Sequence, residues 1–281
     1  MIAAAFDYHR PSSLADALAL LARHGDDARA LAGGHSLVPA MKLRLAEPPV
    51  LVDLSRVPEL RGIVEEDGSI VIGAMTTHAE LAASPILAAK CPLFAKTAPQ
   101  IGDMQVRNRG TIGGSLAHAD PAADWPPVVL ALDAELDVAA ATGSRRIPAT
   151  EFFKDIMQTA LRPGEVLRAI RVRPSGSAVA YVKTEQKASG FALCGVAAVA
   201  NRTANRVSVA ITGVSAIPFR ARDVERALES GPLTPERIAD AARSAAAGVQ
   251  MLSDIHGSQE YRAHLARVNV RRAIERAIAH A

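Results

Sequence analysis

The sequence contains few cysteines and few aromatic residues. Its two cysteines, Cys91 and Cys194, lie far apart and belong to no paired motif. A four-cysteine iron–sulfur cluster or a CxxC zinc site within this chain is therefore excluded, and any metal centre would have to come from another chain. We expect two buried thiols rather than a disulfide. Aromatic residues make up 4% of the 281 residues, so the core has to be built mainly from Ala, Val, Leu and Ile.

Long apolar runs and tracts of like charge are also missing. No window approaches the roughly 18 uninterrupted apolar residues that span a bilayer. The N-terminal segment lacks a basic region and is interrupted by Asp7, which argues against a signal peptide. The 32 basic and 29 acidic residues nearly cancel, and no Lys/Arg tract is dense enough to predict a nucleic-acid surface. We expect a cytoplasmic protein with no transmembrane segment and no nucleic-acid partner.

Two lobes are predicted in the N-terminal part of the chain. Residues 1–54 form a small α/β unit with short buried strands at 28–32 and 50–54. Residues 55–174 form a second lobe, which opens with a hairpin whose turn is Asp67-Gly68. Strands around 136–138, 146–147 and 166–172 are predicted to complete the second lobe.

The best domain boundary is the short, polar and turn-forming segment at 174–177. Beyond it come three strand candidates and then helices, the pattern of a small antiparallel sheet backed by helices. We therefore predict an α+β fold with domains at 1–174 and 178–281.

Two glycine pairs are the main candidates for a binding site, in Ala32–Ser36 (AGGHS) and Thr111–Ser115 (TIGGS). Glycine lets the backbone approach a ligand closely, and successive N–H groups in such turns form an anion site. Neither pair matches the P-loop or the G-x-G-x-x-G fingerprint, and each alone reads equally as an ordinary turn. The second pair is predicted to lie in a turn, followed by a helix over 122–132 that is capped by Asp120.

Three longer strings carry a resemblance to a known family: AGGHSLVP at 32–39, IGAMTTHAEL at 72–81 and VRNRGTIGGSLAHADPAAD at 106–124. They resemble the FAD-binding medium subunits of the xanthine dehydrogenase family, in particular its aerobic carbon monoxide dehydrogenase branch. The third string is specific because so many ordered matches rarely arise by chance. Further matches continue to Arg220, so the resemblance covers essentially the whole chain.

The resemblance implies a two-lobed FAD-binding domain of the vanillyl-alcohol-oxidase (PCMH) type, followed by a small α+β C-terminal domain. It implies non-covalent FAD, with the diphosphate held by the two glycine loops. It implies no catalytic residue and no metal ligand in this chain. The implied cofactor-binding residues are Ala32, Gly33, Gly34, His35, Ser36, Leu37, Thr111, Ile112, Gly113, Gly114, Ser115, Asp124, Leu167 and Lys187.

Three of these residues have specific implied roles. Asp124 matches a carboxylate that hydrogen-bonds the flavin cofactor, although a solvated residue at a helix start would look the same. Leu167 matches an apolar residue near the isoalloxazine, and a core position in a strand is the alternative. Lys187 matches a basic residue near the flavin, where a cation would stabilise negative charge on the reduced ring. Its alternative is a solvated lysine at a strand end.

The implied complex adds a molybdopterin-binding large subunit and a [2Fe-2S] small subunit, assembled as a dimer of heterotrimers. Electrons would pass from molybdenum through the iron–sulfur clusters to FAD and then to an external acceptor. Ser115 and Gly190 depart from the family pattern, which often has Asn and Asp there. A stand-alone flavin oxidase and a non-enzymatic scaffold are the rival hypotheses. Substituting Gly33 or Gly114 with Val is expected to abolish FAD retention without unfolding the chain.

Overall fold

The computed structural model describes residues 2–176, 178–201, 204–229 and 231–279. Their strands are β1 (Asp7–His9), β2 (Ala28–Leu31), β3 (Val50–Asp53), β4 (Ile63–Glu66), β5 (Ser69–Gly73), β6 (Glu135–Ala140), β7 (Gly143–Pro148), β8 (Phe153–Asp155), β9 (Gln158–Thr159), β10 (Val166–Val172), β11 (Val179–Glu185), β12 (Ala192–Asn201), β13 (Arg206–Thr212) and β14 (Phe219–Arg220). Their α-helices are α1 (Leu14–His24), α2 (Leu37–Lys42), α3 (His78–Ala83), α4 (Pro85–Lys90), α5 (Pro92–Thr97), α6 (Met104–Arg109), α7 (Ile112–His118), α8 (Trp125–Ala131), α9 (Ala149–Phe152), α10 (Arg222–Glu229), α11 (Pro235–Ala241) and α12 (Gln259–Ala279). The predicted α+β class is confirmed.

The first lobe is a parallel three-stranded sheet in the order β1-β3-β2. Its helix α1 begins where the Ser13 hydroxyl accepts a hydrogen bond from the Asp16 N–H, and it ends at Gly25 with a positive φ of 54°. The central strand β3 is buried along its whole length, as expected of a parallel strand covered on both faces. The strand predicted at 28–32 exists, but only Ala28 in it is buried, because its later residues line an open cavity.

The second lobe is an antiparallel five-stranded sheet in the order β4-β5-β10-β6-β7. The predicted hairpin joins β4 to β5, and both Asp67 and Gly68 adopt the positive φ that its tight turn requires. Helices cover one face of this sheet, and the fully buried Trp125 and Phe94 lie at the centre of their core.

Two predicted helix starts in this lobe are wrong. The second glycine pair lies inside the first turn of α7, which begins after Thr111, and not in a turn that precedes a helix. The helix predicted over 122–132 begins only at Trp125. The Asp120 carboxylate accepts a hydrogen bond from the Ala122 N–H at 2.8 Å, which holds an Asx-type turn instead of capping a helix.

The C-terminal part is an antiparallel sheet in the order β11-β12-β13-β14, covered by α12 and α10. Its three predicted strands are confirmed as β11, β12 and β13. Part of the predicted turn between β12 and β13, at Arg202 and Thr203, lies outside the described residues, as does Ser177 of the predicted domain boundary.

The third sheet packs directly on the second lobe. Val179 and Tyr181 of β11 belong to the same buried apolar cluster as Trp125. The Gly213 N–H and the Thr212 hydroxyl both donate to the Pro121 carbonyl at 2.8 Å. The loop before α8 is therefore fixed by the C-terminal sheet, and this loop forms one side of the cavity described below.

The state of the two cysteines and the character of the helices were both expected from the composition. Cys91 and Cys194 are both free and buried, as predicted. Over the described part of the chain, every helix falls short of the length and apolar character needed to cross a bilayer.

Candidate functional site

A cavity of about 630 Å³ lies where the two lobes meet the turn between β11 and β12. This volume falls within the roughly 300–1,000 Å³ typical of small-molecule sites. The structure brings all of the predicted site residues except Ile112 and Lys187 to its wall. Those that line it are Ala32, Gly33, Gly34, His35, Ser36, Leu37, Thr111, Gly113, Gly114, Ser115, Asp124 and Leu167.

The first glycine loop joins β2 to α2, and together with the first residue of α2 it gives a run of unpaired donors at Gly33–Leu37 in the cavity wall. Within the described chain, none of its five backbone N–H groups donates a hydrogen bond to a protein acceptor. Gly34 has a φ of 77°, a left-handed conformation that glycine adopts without strain and that occurs in anion-binding turns. The Ser36 hydroxyl makes no capping bond to α2 and is free to donate as well. This loop therefore has the donor set of an anion site.

The second glycine loop differs, because the backbone N–H groups of Ile112 to Ser115 are already bonded to the protein. This loop is anchored on the β5–α3 segment and on its own N-capping threonine. The bonds run from Ile112 N to Thr76 O at 3.0 Å, from Gly113 N to Ala74 O at 2.8 Å, from Gly114 N to Thr111 Oγ1 at 3.1 Å and from Ser115 N to Thr111 O at 3.0 Å. The expectation of free amide donors thus fails for Ile112 to Ser115 of the second loop, where further donors have to be side chains.

Glycine is required in both loops by contacts between protein segments. A Cβ atom on Gly33 would lie 2.3 Å from the Arg109 carbonyl oxygen, and one on Gly113 would lie 2.4 Å from the Ala74 Cβ. These contacts are with backbone or with a short side chain, so the neighbours cannot move aside cheaply. A Val at Gly33 would therefore have to push the two loops apart, which adds a cost in stability to the expected loss of FAD retention; that loss stays a prediction.

Asp124 is a buried carboxylate in the cavity wall, with 6% of the residue exposed. It occupies the N-cap position of α8 but makes no capping hydrogen bond, so the helix-start alternative does not explain it. It accepts hydrogen bonds from the Tyr181 hydroxyl at 2.5 Å and from the Lys183 ammonium at 3.1 Å. Burial raises the pKa of Asp124, while the Lys183 charge and the Tyr181 hydrogen bond oppose that rise.

The cation that the structure brings to Asp124 is Lys183, whose side chain is 3% exposed and also donates to the Gln100 carbonyl at 2.8 Å. Lys187 lies four residues further on, exposed in the turn after β11, and does not line the cavity. Strand alternation could have indicated Lys183, because Tyr181 and Lys183 at i and i+2 lie on the same face of β11.

The remaining predicted residues divide between the cavity and the core. Leu167 of β10 is buried and also lines the cavity, so its two predicted roles coincide. Ile112 is fully buried and packs in the core of the second lobe. Phe191, 49% exposed, and Gly190, with a φ of 71°, lie in the β11–β12 turn at the cavity wall.

The cavity suits a dinucleotide diphosphate better than it suits a metal ion. Within the described residues, no group of three or more His, Cys, Asp or Glu side chains is placed to hold a metal. The first loop offers a run of neutral N–H donors, which match phosphate oxygens. Apolar wall residues such as Leu167 and Met75 offer space for a flat organic ring.

Comparison with known proteins identifies a flavin-binding family, and the matches cover almost the whole chain. Residues 4–174 match the family model described as the FAD binding domain in molybdopterin dehydrogenase, and residues 179–277 match the CO dehydrogenase flavoprotein C-terminal domain. The chain is 42% identical to the carbon monoxide dehydrogenase medium chain of Hydrogenophaga pseudoflava, over 99% of this chain and 98% of the relative. It is 36% identical to the nicotine 6-hydroxylase medium subunit of Paenarthrobacter nicotinovorans, over 96% of each.

Solved structures agree with these sequence matches. The carbon monoxide dehydrogenase of Hydrogenophaga pseudoflava superposes with a TM-score of 0.95 at 42% identity, covering 100% of this chain and 99% of that one. Quinoline 2-oxidoreductase from Pseudomonas putida 86 superposes with a TM-score of 0.93 at 34% identity, with 100% and 99% coverage. The chain therefore belongs to the family of FAD-binding medium subunits of the molybdopterin dehydrogenases.

Proposed function

We propose that the chain binds FAD non-covalently in this cavity and transfers electrons from the [2Fe-2S] clusters of a partner subunit to an external acceptor. The observation that carries the proposal is the run of five unpaired backbone N–H groups at Gly33–Leu37 in a cavity of suitable size. Bound FAD would supply the redox chemistry, since it exchanges electrons with one-electron and two-electron partners.

The chain's own residues bind and orient the cofactor in this proposal. The first glycine loop donates hydrogen bonds to the diphosphate, and the second loop forms the facing wall with the Thr111 and Ser115 hydroxyls. Asp124 accepts a hydrogen bond from the cofactor while Lys183 and Tyr181 hold its carboxylate in place. The role of Lys187 beside the flavin stays a prediction.

The proposed partners follow from the family. The carbon monoxide dehydrogenase and nicotine 6-hydroxylase relatives are named as a medium chain and a medium subunit, which implies larger and smaller partners. We assign this chain a molybdopterin-binding large subunit and a [2Fe-2S] small subunit, in a cytoplasmic dimer of heterotrimers. We also propose domains at 1–174 and 178–281, supported by the separate sheets on either side of this boundary.

The test is visible spectroscopy on the chain expressed alone and together with its genomic neighbours. We expect a flavin spectrum whose chromophore is released as FAD on denaturation, and added iron–sulfur absorbance only in the co-purified complex. Rapid reduction of the flavin on adding substrate to the complex, and none in the isolated chain, would separate this function from that of a stand-alone oxidase. A colourless chain that neither takes up FAD nor recruits a partner would refute the proposal in favour of the scaffold hypothesis.

A further inference from the structure

His78 lies at the junction of the two glycine loops. It is the first residue of α3, after the capping box formed by Thr77 and Glu80, and its backbone N–H donates to the Gly110 carbonyl at 3.0 Å. Its ring lies directly against the second loop, because a Cβ atom on Gly110 would be 2.8 Å from the His78 Nε2. The residue is only 4% exposed, yet it lines the cavity.

The protonation of the ring is fixed by a neighbour. The indole Nε1–H of the fully buried Trp125 donates to the His78 Nδ1 at 3.1 Å. An indole nitrogen can only donate, so Nδ1 must carry no proton and the proton of the neutral ring lies on Nε2. Burial, with smaller contributions from the facing His35 and Arg107, lowers the pKa of His78 to about 4. The ring is therefore neutral at physiological pH.

The Nε2–H group has no acceptor within the described protein. His78 makes no other side-chain hydrogen bond. Among the described residues, the polar side-chain atoms that are fully buried without a partner are Thr97 Oγ1 and Arg262 Nε. The His78 Nε2 is not one of them, so it keeps some exposed surface. This nitrogen therefore opens on the cavity. The backbone N–H groups of Ile112 to Ser115 in the adjacent second loop are already bonded to the protein, so His78 adds a side-chain donor beside the hydroxyls of that loop.

We propose that His78 is a ligand-binding residue whose Nε2–H donates a hydrogen bond to a diphosphate oxygen of the cofactor. This inference rests on the proposed function, since it deepens the same site. The first loop then binds the diphosphate through backbone donors, and His78, which lies against Gly110, binds it through one neutral side-chain donor. Trp125 acts as a positioning residue, because it selects the tautomer that can donate.

The test uses the full chain, stripped of flavin and titrated with FAD and, separately, with ADP, which carries the diphosphate without the flavin. His78→Leu removes the donor, whereas His78→Gln keeps an amide N–H near the position of Nε2. We expect His78→Leu to weaken FAD and ADP binding by about tenfold to a hundredfold, the range for a lost hydrogen bond to a charged acceptor. His78→Gln should recover most of that loss. His264→Leu, at an exposed position on α12, is the matched control and should bind as the wild type does.

Several outcomes would overturn the proposal. Unchanged FAD affinity in His78→Leu would do so, and so would a loss confined to FAD, which would place the donor against another part of the cofactor. If the variant fails to fold, the wild-type chain labelled with 15N-histidine gives the answer, because the Nε2–H resonance must shift downfield when ADP is added. A wild-type chain that binds no FAD would instead refute the proposed function.

Discussion

At the scale of single residues, the wall of the cavity contains a buried ion pair in place of a free catalytic base. Asp124 and Lys183 are both almost fully buried, and Tyr181 completes the hydrogen bonding of the carboxylate. Removing one partner of such a pair leaves a buried charge uncompensated, which costs more than the pair itself contributes to stability. This arrangement explains why a carboxylate can lie in the cavity wall without titrating as an exposed acid would.

Replacing Lys183 with Met should therefore destabilise the chain. We expect the free energy of unfolding in urea at pH 7.5 to fall by about 3 kcal/mol, because the Asp124 carboxylate loses its cation in a buried site. The double variant with Asp124→Asn should lose less than the sum of the two single changes, since each removes the same interaction.

Two lysines provide controls for that experiment. Lys90 forms an exposed ion pair with Glu65, and Lys90→Met should change the unfolding free energy by less than about 1 kcal/mol. Lys187→Met should be similarly mild, because Lys187 is exposed. Equal losses in Lys183→Met and Lys187→Met would contradict the assignment of Lys183 as the partner of Asp124.

The neutral His78 gives stability a specific dependence on pH. Burial first, and then the charges of His35 and Arg107, lower its pKa from 6.5 to about 4. Between these values the unfolded chain binds the proton and the folded chain does not. The contribution to stability is therefore complete above about pH 6.5 and is lost as the pH falls towards 4, by an amount on the order of 3 kcal/mol.

The measurement is a series of urea unfolding curves from pH 7.5 to 4 for the wild type and for His78→Leu. The difference in unfolding free energy between them should shift by about 3 kcal/mol in favour of the variant as the pH falls. Subtracting the two curves removes the contributions of other acids such as Asp124. A difference that stays constant over this range would show that His78 has the same pKa in the folded and the unfolded chain, so that its burial does not lower that pKa.

At the scale of elements, the two glycine loops have different tasks although their sequences look alike. Gly33 lets the first loop pass against the backbone at Arg109 and Gly110, and Gly113 lets α7 pass against Ala74. We expect Gly33→Ala to lower the unfolding free energy by about 2 kcal/mol or more, because its Cβ would meet a carbonyl oxygen that cannot retreat.

The matched control for this substitution is Gly231→Ala. There a Cβ would meet only the end of the Arg237 side chain, which is a long side chain and not backbone; its guanidinium bonds to the Pro232 and Ala227 carbonyls and would have to shift by a few tenths of an ångström. The cost should stay within about 1 kcal/mol. Similar unfolding midpoints for the two variants in urea would mean that the loop contact at Gly33 is not tight in solution.

The regular elements could be predicted from sequence because their signals are local. The Asp67-Gly68 hairpin and the strands β11, β12 and β13 followed from turn chemistry and alternation alone. The start of α8 could not be predicted in this way. The preceding loop is held by hydrogen bonds that the Pro121 carbonyl accepts from β13, about 90 residues further along the chain. Lys183 was missed for a related reason, since its partner Asp124 lies 59 residues earlier in the chain, at the start of α8.

At the scale of the whole molecule, the C-terminal domain completes the cavity rather than merely following it. Its strand β11 supplies both partners of Asp124, and its Ser189–Phe191 turn forms part of the wall. Val179 and Tyr181 also complete the apolar core around Trp125. The two proposed domains therefore share one core and one cavity, and we expect FAD binding to depend on both.

Truncation tests that dependence. A fragment of residues 1–174 lacks Tyr181 and Lys183, so its Asp124 carboxylate would be either exposed to water or buried without a partner. The apolar surface around Trp125 would also be exposed. We expect this fragment to unfold at lower urea concentration than the full chain and to bind FAD at least tenfold more weakly, a difference of about 1.4 kcal/mol. Adding a separate fragment of residues 178–281 should restore part of the affinity, because the missing wall can dock on the same contacts. Undiminished FAD binding by 1–174 alone would show that the first two lobes hold the cofactor by themselves, and the Lys183–Asp124 pair would then stabilise the domain junction without shaping the site.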